Sequence, residues 1–256
     1  MSVPYSRYVI GSIPWYGFLI ALGVAVAILL ASYEEKRLAL KRDTVIDLAF
    51  WVIPLGLICA RIYYVLFQWE TFADNPLSVL YLWEGGIAIY GAVIGGLIAI
   101  LLFSRRRRLN PFLLTDMIVP GLALAQCIGR WGNYFNMEAY GREISDPAWQ
   151  FFPIGVQIPE NGRYVWHMAT FFYESGLNLL IFIVLWFFVR KKSKITGTVT
   201  LCYLLLYGTG RFLIEGLRTD SLMLGGIRVS QLLSLGLVVL SVVLLIINAS
   251  RQRKQP

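Results

Sequence analysis

Seven stretches of the chain are apolar nearly throughout, and each is close to the roughly 20 residues an α-helix needs to cross a bilayer. They run at about 14–33, 46–67, 86–104, 111–129, 168–189, 196–216 and 229–249. The pattern predicts an all-α polytopic membrane protein with seven transmembrane helices. Basic residues between the stretches sort by side. Lys36, Arg37, Lys41 and Arg42 follow the first, Arg105 to Arg108 the third, Arg190, Lys191, Lys192 and Lys194 the fifth, and Arg251, Arg253 and Lys254 the seventh. These are fifteen of the 23 Lys and Arg residues. The alternate connections are poorer in them; 68–85 holds Glu70, Asp74 and Glu84 and no Lys or Arg. Basic loops face the cytoplasm, so the N-terminus is expected outside and the C-terminus inside. Trp15, Tyr16, Trp69, Trp83, Trp131 and Trp166 then fall at outer ends, where an aromatic belt belongs.

The longest connection, about 130–167, lies on the outer side and carries Pro147, Pro153, Pro159, Gly155 and Gly162. An ordered connection of this length predicts a small external head between helices 4 and 5. The chain is otherwise expected to be one transmembrane domain over 1–256. Gly91 and Gly95, four residues apart in the third stretch, would let two helices approach closely.

Composition agrees with a membrane protein. Hydrophobic residues make up 57% of the chain and charged ones 15%, with a mean hydropathy of +0.65. A net charge of +8 would suggest nucleic acid for a soluble protein. Here the basic loops account for it, and no nucleic-acid partner is expected. Cys59, Cys127 and Cys202 all lie in apolar runs; an odd number there predicts small buried hydrophobes rather than a disulfide framework. The first apolar run lacks a basic segment before it and a small-residue cleavage site after it, so no cleavable signal peptide is expected.

A charge inside a span is costly and points to function. Arg61, Asp116, Glu174, Arg211 and Glu215 are such charges. At about 1.5 Å per residue, Arg61 and Arg211 each lie roughly 22 Å from the inner end of their helices, in the outer third. Glu174 stands near the outer start of span five, Arg130 caps span four, and Tyr16 and Tyr90 begin spans one and three. Asp116 alone is near an inner end. Tyr207, Arg211 and Glu215 are four apart and share one helix face. An Arg211–Glu215 ion pair would satisfy itself. With Arg130 and Arg61 at the same depth, however, positive charge exceeds what Glu215 neutralises, which favours an anionic ligand. At that depth the natural anion is a phospholipid head group.

The densest polar stretch is Gly129 to Gly141, G-R-W-G-N-Y-F-N-M-E-A-Y-G. Arg130 offers a planar fork of donors for a phosphate or carboxylate. Asn133 and Asn136 donate and accept, and Glu138 accepts. Gly132 and Gly141 permit close approach or positive φ. A helix end tied to its loop by local hydrogen bonds is the competing reading. His167, the single histidine, is expected to be solvated or loop-bonded. With no cluster of His, Cys and carboxylates at ligand spacing, neither metal nor cofactor is expected. No phosphate-cradling G-x-x-x-x-G-K-[ST] loop or G-x-S-x-G elbow occurs. Cys127 has apolar neighbours that disfavour its thiolate. On the residues alone, a seven-span receptor and a lipid transporter remain alternatives to an enzyme. The last apolar run has no lysine for a retinal Schiff base, and no repeat symmetry of the transporter kind is visible.

The central stretch closely resembles the signature of the bacterial prolipoprotein diacylglyceryl transferase family in Gly129, Arg130, Gly132, Asn133, Asn136, Glu138 and Gly141. W-Y-G at 15–17, A-R-I-Y-Y at 60–64, W-E-G-G at 83–86, Y-G-x-G-R-F-x-x-E-x-x-R at 207–218 and S-Q at 230–231 are similar to further family motifs. The resemblance implies an enzyme of the bacterial cytoplasmic membrane, with seven spans, its N-terminus outside and its active site facing the outer leaflet. It implies transfer of the diacylglyceryl group from phosphatidylglycerol to the lipobox cysteine of a preprolipoprotein signal peptide, with release of glycerol-1-phosphate. On this reading Arg130, Arg211 and Tyr90 are catalytic candidates. Tyr16, Asn133, Asn136, Glu138, Gly141, Tyr207, Arg61 and Glu215 bind substrate together with Arg130, and Glu174 supports them. The chain departs from the family twice. Many members have a histidine before two glycines after the W-x-G-G segment, where this chain has Tyr90, Gly91 and Ala92. Many also carry His-Pro before span five, where this chain has Met168 and Ala169, with His167 one position early.

Overall fold

The computed structural model describes residues 6–193, 195–219 and 223–253; Lys194 and Lys254, counted above among the basic loop residues, lie outside them. Seven long helices dominate the described residues. They are α1 (Trp15–Arg37), α2 (Thr44–Phe67), α3 (Ile89–Arg107), α4 (Pro111–Asn136), α5 (Thr170–Lys192), α6 (Thr198–Glu215) and α7 (Val229–Arg253). Six of them are long and apolar enough to cross a membrane. The exception, α6, has 18 residues and carries both Arg211 and Glu215. Large apolar side chains such as Leu29, Phe50, Leu66 and Ile246 stay uncovered, as helices solvated by lipid require.

Short antiparallel pairs precede or connect the helices: β1 (Tyr8–Ile10) with β2 (Ile13–Pro14) before α1, β3 (Gly155–Glu160) with β4 (Arg163–Met168) between α4 and α5, and β5 (Met223–Leu224) with β6 (Ile227–Arg228) between α6 and α7. The β3–β4 hairpin is the core of the expected head, so the molecule is not purely helical. Asn161 and Gly162 at its tip have φ of 49° and 78°, the left-handed pair that a tight two-residue hairpin turn needs. The Asn-Gly dipeptide signals that hairpin in the sequence, whereas Pro and Gly content alone signalled only a break.

Backbone contacts divide the chain into two compact units, Ala31–Met117 and the rest. Within Ala31–Met117, α2 and α3 pack through the two glycines picked out above. A Cβ on Gly91 would collide with the Cys59 carbonyl and lie 2.7 Å from Ala60 Cα; one on Gly95 would collide with the Leu55 carbonyl and lie 2.8 Å from Cys59 Cβ. Only hydrogen fits at either position. The chain entering α2 is fixed by Glu35, whose buried carboxylate accepts from the backbone N–H of Asp43 at 3.0 Å and Val45 at 2.6 Å.

In the other unit, α4, α5 and α6 share a core of Val119, Ala123, Ile181, Leu185, Val199 and Tyr203. A second cluster, Tyr134, Val156, Ile158, Ala169 and Phe171, seats the hairpin on the end of α4 and the start of α5. The hairpin is therefore braced directly over the segment that carries Arg130.

Candidate active site

Helix α4 does not end where its apolar run ends. It continues through the polar stretch to Asn136, because the aromatic residues there have partners. Trp131 meets Phe171 and Phe172 edge-on, and Phe135 stacks on Trp15 at 4.6 Å. Gly132 lies against Tyr16, whose Cδ2 would be 2.7 Å from an added Cβ. The chain then turns through Met137 and Ala139, both at left-handed φ of 54° and 55°. Asn133 and Asn136 close this turn by donating to Glu138 Oε1 at 2.9 and 3.3 Å. The cavity beside Asn133, Tyr134 and Glu138 holds only about 10 Å³, room for a single water. This part of the motif ties the helix end to its loop, and Asn133 is itself buried.

Gly141 is a junction. Its N–H donates to the Met168 carbonyl at 2.9 Å, and it bridges to Arg218 in antiparallel fashion. A Cβ there would lie 2.8 Å from Met168 Cβ and 2.9 Å from the Leu217 carbonyl oxygen. His167, buried on β4, places Nδ1 2.9 Å from the Gly141 carbonyl and Nε2 3.1 Å from Glu160 Oε1. It is loop-bonded, one of the two expected states, and it helps to hold the hairpin against the turn.

The charged centre is Glu174, which sequence reasoning assigned only a supporting part. It is 2% exposed. Arg130 Nη2 lies 2.5 Å from its Oε2, while Arg211 Nη1 and Arg218 Nη1 lie 2.7 and 3.3 Å from its Oε1. Arg211 also places Nη2 2.6 Å from Glu215 Oε2, so the predicted i,i+4 pair exists inside a larger knot. Glu215 is 1% exposed. Its backbone carbonyl accepts from Arg228 Nη1 at 2.5 Å, and Arg228 Nη2 donates to the Arg218 carbonyl at 3.1 Å. Three guanidiniums from α4, α6 and the segment after it thus surround two carboxylates. Tyr207, two turns before Glu215, stacks on Tyr203 at 5.6 Å. The signal for Glu174 was its position as a lone carboxylate in an apolar helix. That for Arg218 was its place three residues beyond Glu215 in the 207–218 motif.

Arg61 and Tyr90 belong to the Ala31–Met117 unit. Arg61, expected to add a cation for an anionic ligand, is buried and committed to backbone. It donates to the carbonyls of Ser78, Val79, Gly85 and Gly86 at 2.6–2.8 Å and of Tyr81 at 3.4 Å, with Phe72 5.0 Å from the guanidinium. These contacts correct the expectation: its fork clamps the 76–86 loop, and its donors are filled without a ligand. Tyr90, in the first turn of α3, is half-buried with its ring 6.2 Å from that of Tyr63.

Removing one partner of a buried charge cluster costs about 3–5 kcal/mol, because the remaining charges stay buried. Glu174→Gln leaves three guanidiniums facing a neutral amide and is expected to lose stability on that scale in detergent unfolding. A loss under about 1 kcal/mol, the level of an exposed pair, would show that Glu174 does not hold the arginines.

Comparison with known proteins agrees with the motif resemblance. The family model described as prolipoprotein diacylglyceryl transferase matches residues 7–247. A protein of Listeria innocua serovar 6a named phosphatidylglycerol–prolipoprotein diacylglyceryl transferase is 44% identical over 241 residues, covering 92% of this chain and 85% of its own. Proteins of the same name from Limosilactobacillus reuteri and Streptococcus agalactiae serotype Ia are 45% and 42% identical, covering 93% and 94% of this chain and 87% and 93% of their own. With the match extending over nearly its whole length, this chain belongs to the prolipoprotein diacylglyceryl transferase family.

Proposed function

We propose that this protein transfers the diacylglyceryl group of phosphatidylglycerol to the lipobox cysteine of preprolipoproteins, the first step of bacterial lipoprotein maturation. The observation that carries the reading is the Glu174 knot, which gathers Arg130 and Arg211 from separate family motifs onto one carboxylate. Two guanidinium forks held side by side suit a phosphate, which accepts bidentate hydrogen bonds. With three guanidiniums to two carboxylates, the cluster favours an added anion.

In the reaction, the cysteine sulfur attacks the terminal glyceryl carbon of the diacylglyceryl group as thiolate, the nucleophilic form. A carbon–sulfur bond forms and the carbon–oxygen bond to phosphate breaks. The bonding pair leaves with glycerol-1-phosphate, whose charge Arg130 and Arg211 neutralise. The same cations stabilise the thiolate, and Tyr90 is the candidate group for moving the thiol proton. Tyr16, Tyr207 and Glu215 shape and orient the head-group site. Asn133, Asn136, Glu138 and Gly141 act on it by holding the Arg130 turn, and Arg61 acts by fixing the loop before α3.

The chain works as one transmembrane catalytic domain of seven spans in the cytoplasmic membrane, with α6 as a span whose charges are neutralised within the protein. The N-terminus and the hairpin head lie outside, so the lipid enters from the outer leaflet and the signal peptide meets the enzyme there.

Purified protein incubated with phosphatidylglycerol and a lipobox peptide is expected to yield thioether-linked peptide and glycerol-1-phosphate. Arg130→Ala should lower the rate by about 10²–10³-fold or more, and Arg130→Lys should be poor because lysine lacks the fork. Tyr90→Phe is expected to lose about 10²–10⁴-fold, the contribution of a positioned acid–base group, whereas His167→Gln keeps most activity. Full activity in Arg130→Ala would remove the centre of this reading.

Orientation has its own test. Reporter fusions at Arg107 and Lys192 should report cytoplasm, and one at Asn161 the outside. An external signal at Arg107 would invert the topology and with it the outer-leaflet site.

A further inference from the structure

A second cleft lies at the opposite ends of the helices that bear Glu174 and Arg211, where the last turns of α5 and α7 meet the start of α6. It has a volume of about 390 Å³, within the range of small-molecule sites. Phe188, Ile195 and Leu245 give it an apolar wall, and Lys192, Thr198 and Asn248 bring polar groups to the same space. Neither the Thr198 hydroxyl nor the Asn248 carboxamide makes a hydrogen bond among the described residues, and Lys192 has no ion pair among them. A carboxamide near the end of an otherwise apolar helix is costly to leave unpaired.

The chain segments that line the cleft carry basic residues and no acidic ones. Arg190, Lys191 and Lys192 close α5, and Arg251 and Arg253 follow Asn248 in sequence. No Asp or Glu occurs between Glu174 and Glu215, or after Asp220. Arg190 is itself anchored, its guanidinium 3.5 Å from the Trp186 ring centre and its Nε donating to the Trp186 carbonyl at 2.5 Å. The segment supplying Phe188 is also irregular. From Val184 to Val189 the helix widens to π geometry, with Arg190 N–H donating to the Leu185 carbonyl. Such wide turns are rare and often mark functional sites.

We propose that this cleft binds an anionic phospholipid of the inner leaflet, its phosphate on Lys192, Thr198 and Asn248 and an acyl chain along Phe188, Ile195 and Leu245. The leaflet rests on the orientation proposed above. The site is separate from the donor site, and its occupant is bound rather than consumed. Its role is to fasten the basic ends of α5 and α7, with the start of α6 between them, to the inner membrane surface.

A photoactivatable phosphatidic acid and its phosphatidylcholine counterpart, each added to the purified full-length protein, distinguish charge from apolar adsorption. Phosphatidic acid is expected to label peptides within 188–198 or 240–250 about fivefold more than phosphatidylcholine, the gain from one basic residue near a lipid phosphate. Lys192→Glu should bring labelling there down to the phosphatidylcholine level, Lys192→Arg should retain it, and Asn248→Leu should weaken it. Thioether transfer should stay at the wild-type rate in all three variants, since none touches the Arg130 region. Labelling is read without transfer, so its failure is distinguishable from failure of the proposed activity. Equal labelling by the two lipids, or undiminished labelling in Lys192→Glu, would overturn the proposal.

Discussion

A carboxylate buried in a bilayer-spanning helix is tolerated only where cations surround it, since an unpaired buried charge is costly. Glu174 meets that condition through Arg130, Arg211 and Arg218. The dependence runs both ways: three partly buried guanidiniums would repel one another without the carboxylate between them. This constraint brings the end of α4, the start of α5 and the end of α6 into one register. The 129–141 and 207–218 motifs are far apart in sequence, and Glu174 on a third element is their common partner.

Packing around the knot keeps its geometry. Aromatic contacts of Trp131 and Phe135 extend α4 past its apolar run. The left-handed residues Met137 and Ala139 then reverse the chain, and Thr170 Oγ1 donates to the Ala139 carbonyl at 2.6 Å. On the far side, Gly141 pairs with Arg218, and Arg142 Nη2 donates to the Gly216 carbonyl at 3.0 Å. The residues bearing the guanidiniums are thus fixed through backbone as well as through charge. A preorganised cationic site of this kind stabilises developing negative charge without first having to reorganise.

Much of this was legible in the sequence because the bilayer imposes long apolar runs and makes each buried charge conspicuous. The helices, the glycine contact of α2 with α3 and the Arg211–Glu215 pair follow from period and spacing. Other features had no local signature. Arg61 looked like a ligand-binding cation because its depth was readable, while the five carbonyls it meets belong to a loop whose backbone carries no side-chain code. The polarity of 130–136 points to termination after residue 129, whereas tertiary aromatic contacts continue α4 to Asn136. Glu174 was visible as a charge but not as a hub, since its partners lie 44, 37 and 44 residues away and only the fold brings them together.

The proposed chemistry depends on what Arg130 and Arg211 hold when substrate is present. A structure of the protein with phosphatidylglycerol measures this directly. The lipid phosphate is expected within about 3 Å of both guanidiniums, the distance of charge-assisted hydrogen bonds. A well-defined phosphate elsewhere, with Arg130 and Arg211 still engaged only by Glu174 and Glu215, would contradict it.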